Sequence, residues 1–351
     1  MNLLRILSLC CCVVAVGSST AWAVDVAVRQ SDNTTFRGTF TDMGKDAIVV
    51  KRTNNEEITL SVADLKSVQF DNEPIELRIA RSNERSGALD TALEKLEEVR
   101  RQYNNSDKRL ATDLEFLVAR VKGKIGLVDP AKAAEAEQAL QEFRTANPTN
   151  FRYLEATLLQ AALQIQQDKS EEAKTLLEEV RQSGVVGYQL QAGVDLGRLY
   201  LKSGDAAAAE SAFDEVISKS SNDPAAATAM YASMLGKATG LQQQNKLDEA
   251  IATLDEVIEK APQGATQTLA EAWLRKGDCL RLKQQSKAAL MAYLHVDVLY
   301  SGESAQHAEA LLRLSELWGP AGHADRAVDA SARLAERYPN SPWAKKSGSG
   351  S

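Results

Sequence analysis

The sequence predicts a mainly α-helical solenoid of about seven helical hairpins, preceded by a small antiparallel β barrel. Three observations carry that prediction. The first is a phrase that recurs seven times. It begins at an alanine (Ala92, Ala136, Ala173, Ala209, Ala250, Ala289 and Ala327), and four residues later stands a bulky apolar residue (Leu96, Leu140, Leu177, Phe213, Leu254 and Tyr293, with Ser331 the exception). Three further on comes Val99, Phe143, Val180, Val216, Val257, Val296 or Leu334, and the copies start 36–44 residues apart. A fixed period of this size means stacked helix pairs, each too small to bury its own apolar face. The second observation is a period-two alternation confined to residues 24–72, and the third is helical spacing of apolar residues from Pro74 onward.

Taken in chain order, residues 1–23 read as a signal peptide. Met1–Arg5 is a short charged start, Ile6–Val16 an apolar run, and Ala21-Trp22-Ala23 a cleavage site, so export to the periplasm or cell envelope is expected, with the mature chain starting at Val24. The run is too short for a membrane span, and no later stretch qualifies. Leu9, rather than a small residue, precedes Cys10, which speaks against lipidation there. Cleavage leaves Cys279 alone, so no intramolecular disulfide can form, and its place inside a helix suits a small packed hydrophobe.

Residues 24–72 form the expected β-barrel domain. Val24, Val26 and Val28, then Phe36, Gly38 and Phe40, then Ile48–Val50, Ile58 with Leu60, and Val68 with Phe70 mark about five short strands. Ser31-Asp32-Asn33, Met43-Gly44-Lys45 and Thr53-Asn54-Asn55 are turn-like breaks, and Gly38 inside a strand fits a bend. Residues 73–346 are the helical repeats. Ala88, Leu89, Ala92, Leu93, Leu96 and Val99 show the single buried stripe, while Asp129-Pro130, Asn147-Pro148, Asp223-Pro224, Ala261-Pro262 and Tyr338-Pro339 punctuate helix ends. Residues 347–351, Ser-Gly-Ser-Gly-Ser, read as a flexible tail.

Composition narrows the function classes. A net charge of -7 argues against nucleic-acid binding. His295, His307 and His323 are the only histidines, and neither H-E-x-x-H, C-x2-C, a phosphate-binding glycine loop nor G-x-S-x-G occurs, so no enzyme, metal or cofactor is expected. Acidic pairs recur at one repeat position, Glu97-Glu98, Glu178-Glu179, Asp214-Glu215 and Asp255-Glu256. Neighbours on a helix point about 100° apart, so these read as a solvated outer face rather than a paired-carboxylate site.

The repeats resemble tetratricopeptide repeats. One copy has Leu196, Gly197 and Tyr200 in its first helix and Ala209 and Phe213 in its second; another has Trp273 and Gly277, then Ala289 and Tyr293. Pro148, Pro262 and Pro339 each fall twelve residues after a repeat alanine. The ending Tyr338-Pro339-Asn340-Ser341, echoed by Leu299-Tyr300-Ser301, is similar to repeats of exported bacterial envelope proteins such as the Tol–Pal coordinator and outer-membrane assembly lipoproteins. Gly38-Thr39-Phe40-Thr41-Asp42-Met43 is similar to a strand and turn of Sm-like and SH3-like small barrels.

The resemblance implies a concave groove lined by the first helix of each pair. Stepping one residue past the place of the consensus Trp gives an apolar row, Leu158, Val194, Leu235, Leu274 and Leu312; four further come Ala162, Arg198, Thr239, Asp278 and Glu316. Leu158, Val194, Arg198, Leu235, Thr239, Leu274, Asp278 and Leu312 are the candidate partner-binding residues, suited to an amphipathic helix or extended segment. Packing of these leucines within the superhelix stands as the alternative. The expected function is an exported, non-catalytic scaffold for a protein or peptide partner. The rival readings are a glycan- or peptidoglycan-associated binding protein, which needs exposed aromatics on the β segment, and a self-assembling envelope structural protein.

Overall fold

The computed structural model describes residues 24–104, 106–221 and 223–348. The signal segment with its Ala21-Trp22-Ala23 site lies outside the described residues, as do residues 349–351.

Five strands open the chain: β1 (Asp25–Arg29), β2 (Thr35–Met43), β3 (Ala47–Lys51), β4 (Glu57–Ser61) and β5 (Leu65–Gln69). Every pairing is antiparallel, in the order β4-β3-β2-β1-β5. The expected barrel is therefore an open sheet, with β4 and β5 left as its two edges. The cause is the length of β2. Its first half pairs with β1 and its second half with β3, with a bulge between Phe40 and Asp42. The irregularity thus falls two residues beyond the Gly38 expected to bend, and Gly38 instead admits the close approach of the Lys51 carbonyl, with which a Cβ would collide. The short turn Val62–Asp64 then carries the chain to β1 rather than back to β4.

Seven hairpins follow. They are α1 (Ile75–Arg85) with α2 (Leu89–Gln102), α3 (Lys108–Val128) with α4 (Ala133–Ala146), α5 (Tyr153–Gln166) with α6 (Ser170–Arg181), and α7 (Val186–Ser203) with α8 (Ala206–Ser220). The remaining three are α9 (Ala227–Gln243) with α10 (Leu247–Lys260), α11 (Thr266–Leu282) with α12 (Ser286–Leu299), and α13 (Ser304–Trp318) with α14 (Ala324–Arg337). A last helix, α15 (Pro342–Gly348), caps the array. The tail expected from residue 347 thus starts later: the helix continues to Gly348, and Ser347 Oγ lies 3.3 Å from Ser331 Oγ. Six of the seven hairpins turn through one residue of positive φ: Gly87, Asp168, Gly204, Asn245, Gln284 and Gly322. The α3–α4 turn instead uses Asp129, whose side chain caps a 3-10 turn at Pro130.

The recurring phrase is the internal face of every second helix. Its apolar members from Leu96 to Leu334 are buried, Ser331 excepted. Close helix crossing explains the small residues beside them. Phe213 of α8 sits against Gly197 of α7 and Gly236 of α9, and a Cβ on either glycine would overlap its ring; Tyr293 fills the same role against Gly277.

The sheet is bolted to the loop edge of the second to fourth hairpins. Asp25, nearly inaccessible, accepts from the Phe40 amide (2.9 Å), the Asp71 amide (3.0 Å) and Arg109 Nη1 of α3 (2.7 Å). At its other end, Lys45 lies over the Tyr153 ring at 4.2 Å and 3.6 Å from Glu179, while Ala63 packs on Gly187 of α7. One apolar cluster consequently runs from Ala27 in the sheet to Leu199 in α7.

Candidate functional site

The first helices are joined by ion pairs at both ends of the solenoid and not in its middle. At the N-terminal end Asp113 of α3, with no side-chain exposure, pairs with Arg152 (2.9 Å) and Arg81 (3.3 Å). Arg81 also holds Glu73, Arg152 holds Glu155, and Arg120 joins Glu155 to Glu84. Burial opposes ionisation of Asp113, but Arg152 and Arg81 keep its carboxyl below the usual range. At the C-terminal end Arg275 of α11 contacts Glu271 (2.7 Å), Asp278 (2.6 Å) and Glu309 of α13 (2.7 Å), and Tyr293 donates to Asp278 at 2.8 Å. Among the described residues no ion pair joins α7 to α9 or α9 to α11.

A groove of about 470 Å³ opens in that middle stretch. Three of the candidate residues, Arg198, Leu235 and Thr239, line it together with Leu201, Ala232, Gly236, Glu271 and Gln306. It has room because α9 carries small residues on this side, and its floor is closed by the approach of Gly236 to Phe213. Its chemistry is mixed. Leu201, Leu235 and Ala232 give an apolar strip, Thr239 and Gln306 offer hydrogen bonds, and Arg198 stands exposed at one rim. Arg198 Nη1 lies 3.1 Å from Asp195, whose carboxyl burial pushes up while Gln191 and Arg198 pull it down. Glu271, held by Arg275 and by Gln306 Nε2 at 3.1 Å, forms the opposite rim. These groups suit binding of a polar-flanked apolar segment.

The other candidate residues are elsewhere. Val194, Leu274 and Leu312 are buried between helices, and Asp278 is enclosed in the Arg275 cluster, so none offers surface to a partner. Leu158 is half-buried against the N-terminal core and does not line this groove. The reason is angular. One residue turns a helix by 100°, so stepping one beyond the consensus Trp place moves to the internal face of α11 and α13. The groove-facing positions there are Glu271 and Gln306. The missed residues are mostly polar or small, and the one sequence signal that could have found them is the helical run of small residues Ala229, Ala232, Gly236 and Gly240 in α9.

Three of the four acidic pairs hold ties between repeats, while Glu97 and Glu98 pair only within α2, with Arg100 and Lys95. Asp214 reaches Lys237 (2.7 Å) and Asp255 reaches Lys276 (2.5 Å), each on the next first helix. Glu179 reaches back to Arg144 and Glu215 to Arg181 on the preceding second helix. Phe36, Phe40 and Phe70 are buried, which removes the aromatic platform that the glycan reading requires. Among the described residues no three of His, Cys, Asp and Glu are grouped as metal ligands, and no helix is long and apolar enough to cross a membrane. Cys279 is buried, which pushes its thiol up to about 11.

Comparison with known proteins agrees with this architecture. Residues 232–264 and 309–341, within the α9–α10 and α13–α14 hairpins and their flanks, match the tetratricopeptide repeat family pattern. Among solved structures, a tetratricopeptide repeat protein from Parabacteroides merdae superposes with a TM-score of 0.56 at 15% identity, over 78% of this chain and 95% of that one. The apo form of RapI gives 0.56 at 10% identity, covering 78% and 79%. A Rap protein complexed with Competence and Sporulation Factor gives 0.52 at 14% identity, again over 78% and 79%. At these identities the likeness establishes the fold. No curated protein sequence matches the chain.

Proposed function

We propose that the protein is an exported, non-catalytic scaffold of the cell envelope that binds a protein or peptide segment in the groove across α7, α9, α11 and α13. The observation that carries this reading is the gap in the ion-pair ties. Among the described residues α1, α3 and α5, and likewise α11 and α13, are closed on one another by charge, whereas the run from α5 through α7 and α9 to α11 carries no such tie and holds an apolar strip with hydrogen-bonding rims. Tetratricopeptide arrays present such faces to partners, and the Rap protein holding the Competence and Sporulation Factor supports reading this fold as a binder. Export rests on the charged and apolar N-terminus with its Ala21-Trp22-Ala23 site. The envelope assignment rests on export together with the Tyr338-Pro339-Asn340-Ser341 ending.

The test is affinity capture from envelope extract with the wild-type chain and with Leu235→Asp and Thr239→Arg, both at half-exposed positions. Circular dichroism and melting should be unchanged, and specific partners should be lost from both variants. A folded variant that retains every partner would sink the groove assignment.

A further inference from the structure

The repeats allow one second helix to be compared with the others, and α12 stands apart. At two, five and nine residues after the repeat alanine the outer face of a second helix meets solvent. The other six helices hold Glu94, Glu97 and Arg101; Gln138, Gln141 and Thr145; Thr175, Glu178 and Gln182; Ser211, Asp214 and Ser218; Ala252, Asp255 and Glu259; and Asp329, Ala332 and Glu336. In α12 the same places are Met291, Leu294 and Val298. Met291 is 54% and Val298 70% exposed, so the internal face of α12 is buried as usual while its outer face is apolar too. A helix apolar on both faces is covered on both faces when it is at work.

The stripe continues into a cleft of about 500 Å³ formed by Leu290, Met291 and Leu294 of α12 with Leu317, Trp318 and Pro320 at the end of α13. Its charged rim is of one sign. Lys287 lines it, Arg326 of α14 lies 4.8 Å over the Trp318 ring, and no carboxylate lines it. Neither Lys287 nor Arg326 has an ion-pair partner among the described residues. In a chain of net charge -7 this is a local reversal. Two copies meeting through this cleft would oppose cation to cation, which disfavours a symmetric dimer.

We infer that the outer face of α12 and the Trp318 cleft form a second docking surface, for an acidic amphipathic helix of another protein that lays its apolar side chains on Met291, Leu294 and Val298 and its carboxylates near Lys287 and Arg326. The surface is independent of the concave groove, so one chain can bridge two partners.

The experiment uses two labelled synthetic helices of about 20 residues, long enough to hold helical structure. Both carry leucine at i, i+3 and i+7; one has glutamate elsewhere and the other lysine. By fluorescence anisotropy the acidic helix should bind the full chain, and Met291→Asp and Val298→Asp should weaken it by at least about tenfold, since each sets a carboxylate against an apolar contact. Both residues are exposed, so these variants keep the fold. Lys287→Glu with Arg326→Glu should reverse the preference toward the lysine helix, while Leu235→Asp in the groove should leave binding unchanged. Four results would each overturn the inference. They are no binding at millimolar peptide, equal binding of the two helices, loss of binding in Leu235→Asp, or a concentration-dependent dimer in sedimentation that Val298→Asp abolishes.

Discussion

The two halves of the solenoid are built from the same repeat yet hold together differently. From Ala27 to Leu199 the sheet and the first hairpins share one apolar cluster, whereas the remainder divides into three. The smallest of these, Leu190, Val194, Val216 and Ala226, lies where α7 and α8 meet the start of α9, within the stretch in which first helices have no ion pairs with one another among the described residues. In a repeat array stability is a sum of nearest-neighbour interfaces, so such a junction is where the array yields first. The sheet explains the asymmetry. By fastening Asp25 to Arg109 and Lys45 to Glu179 it ties together the loops of the second to fourth hairpins, whereas the loops of the C-terminal half are tied only to one another, as by Thr266 to Glu303. The groove opens where first helices have no ion pairs of their own and are held by Phe213 packing and by second-helix ties such as Asp214–Lys237.

The contrast can be broken most severely at Asp113. Asp113→Ala removes the buried carboxylate shared by Arg81 and Arg152 and leaves each with only its outer partner, Glu73 or Glu155, at a cost of about 4 kcal/mol. Hydrogen exchange should show α1, α3 and α5 opening together while α11–α14 keep their protection; a uniform loss would mean the halves are one unit. Phe213→Ala attacks the junction. The loss should be about 3 kcal/mol, the low end for a buried phenylalanine because Gly197 and Gly236 allow the helices to close in. Thermal unfolding should split into two transitions, and a single sharp one would contradict the junction.

A third probe acts on the C-terminal half through pH. Burial works against the Asp297 carboxylate, but hydrogen bonds from His307 and Arg333 hold it at about 2, well below its ordinary 3.8. Because the folded value is the lower, this stability is present above about pH 4 and fades as the pH falls from there toward 2. It is worth about 1–2 kcal/mol, and Asp297→Asn should flatten the acid limb of unfolding for α13 and α14 without touching the sheet. The smallest effect is a gain. Gln284 holds φ +59° at the α11–α12 turn, so Gln284→Gly should stabilise the C-terminal half by about 0.5 kcal/mol in chemical denaturation.

Most of the fold was legible because burial leaves a periodic trace. The alanine phrase located all seven second helices, and Gly197 and Gly277 foretold the crossings. The barrel expectation failed because alternation reports strands and not closure, which depends on the partners of β4 and β5. Of the candidate residues, Arg198, Leu235 and Thr239 line the groove, while Val194, Leu274, Leu312 and Asp278 are buried and Leu158 lies outside it, since an apolar row on a first helix marks its internal face as readily as its concave one. The ties made by Asp214 and Asp255 were hidden for a related reason: a charged outer face looks the same in sequence whether or not it reaches the next helix.

The central claim is that the groove across α7, α9 and α11 is the binding surface. Its most direct measurement is photocrosslinking in cells, with a photoreactive residue at Thr239 in the groove or at Thr175 on the outer face of α6. Partner adducts should form from position 239 and be absent from position 175. Adducts from 175 with none from 239 would contradict the account.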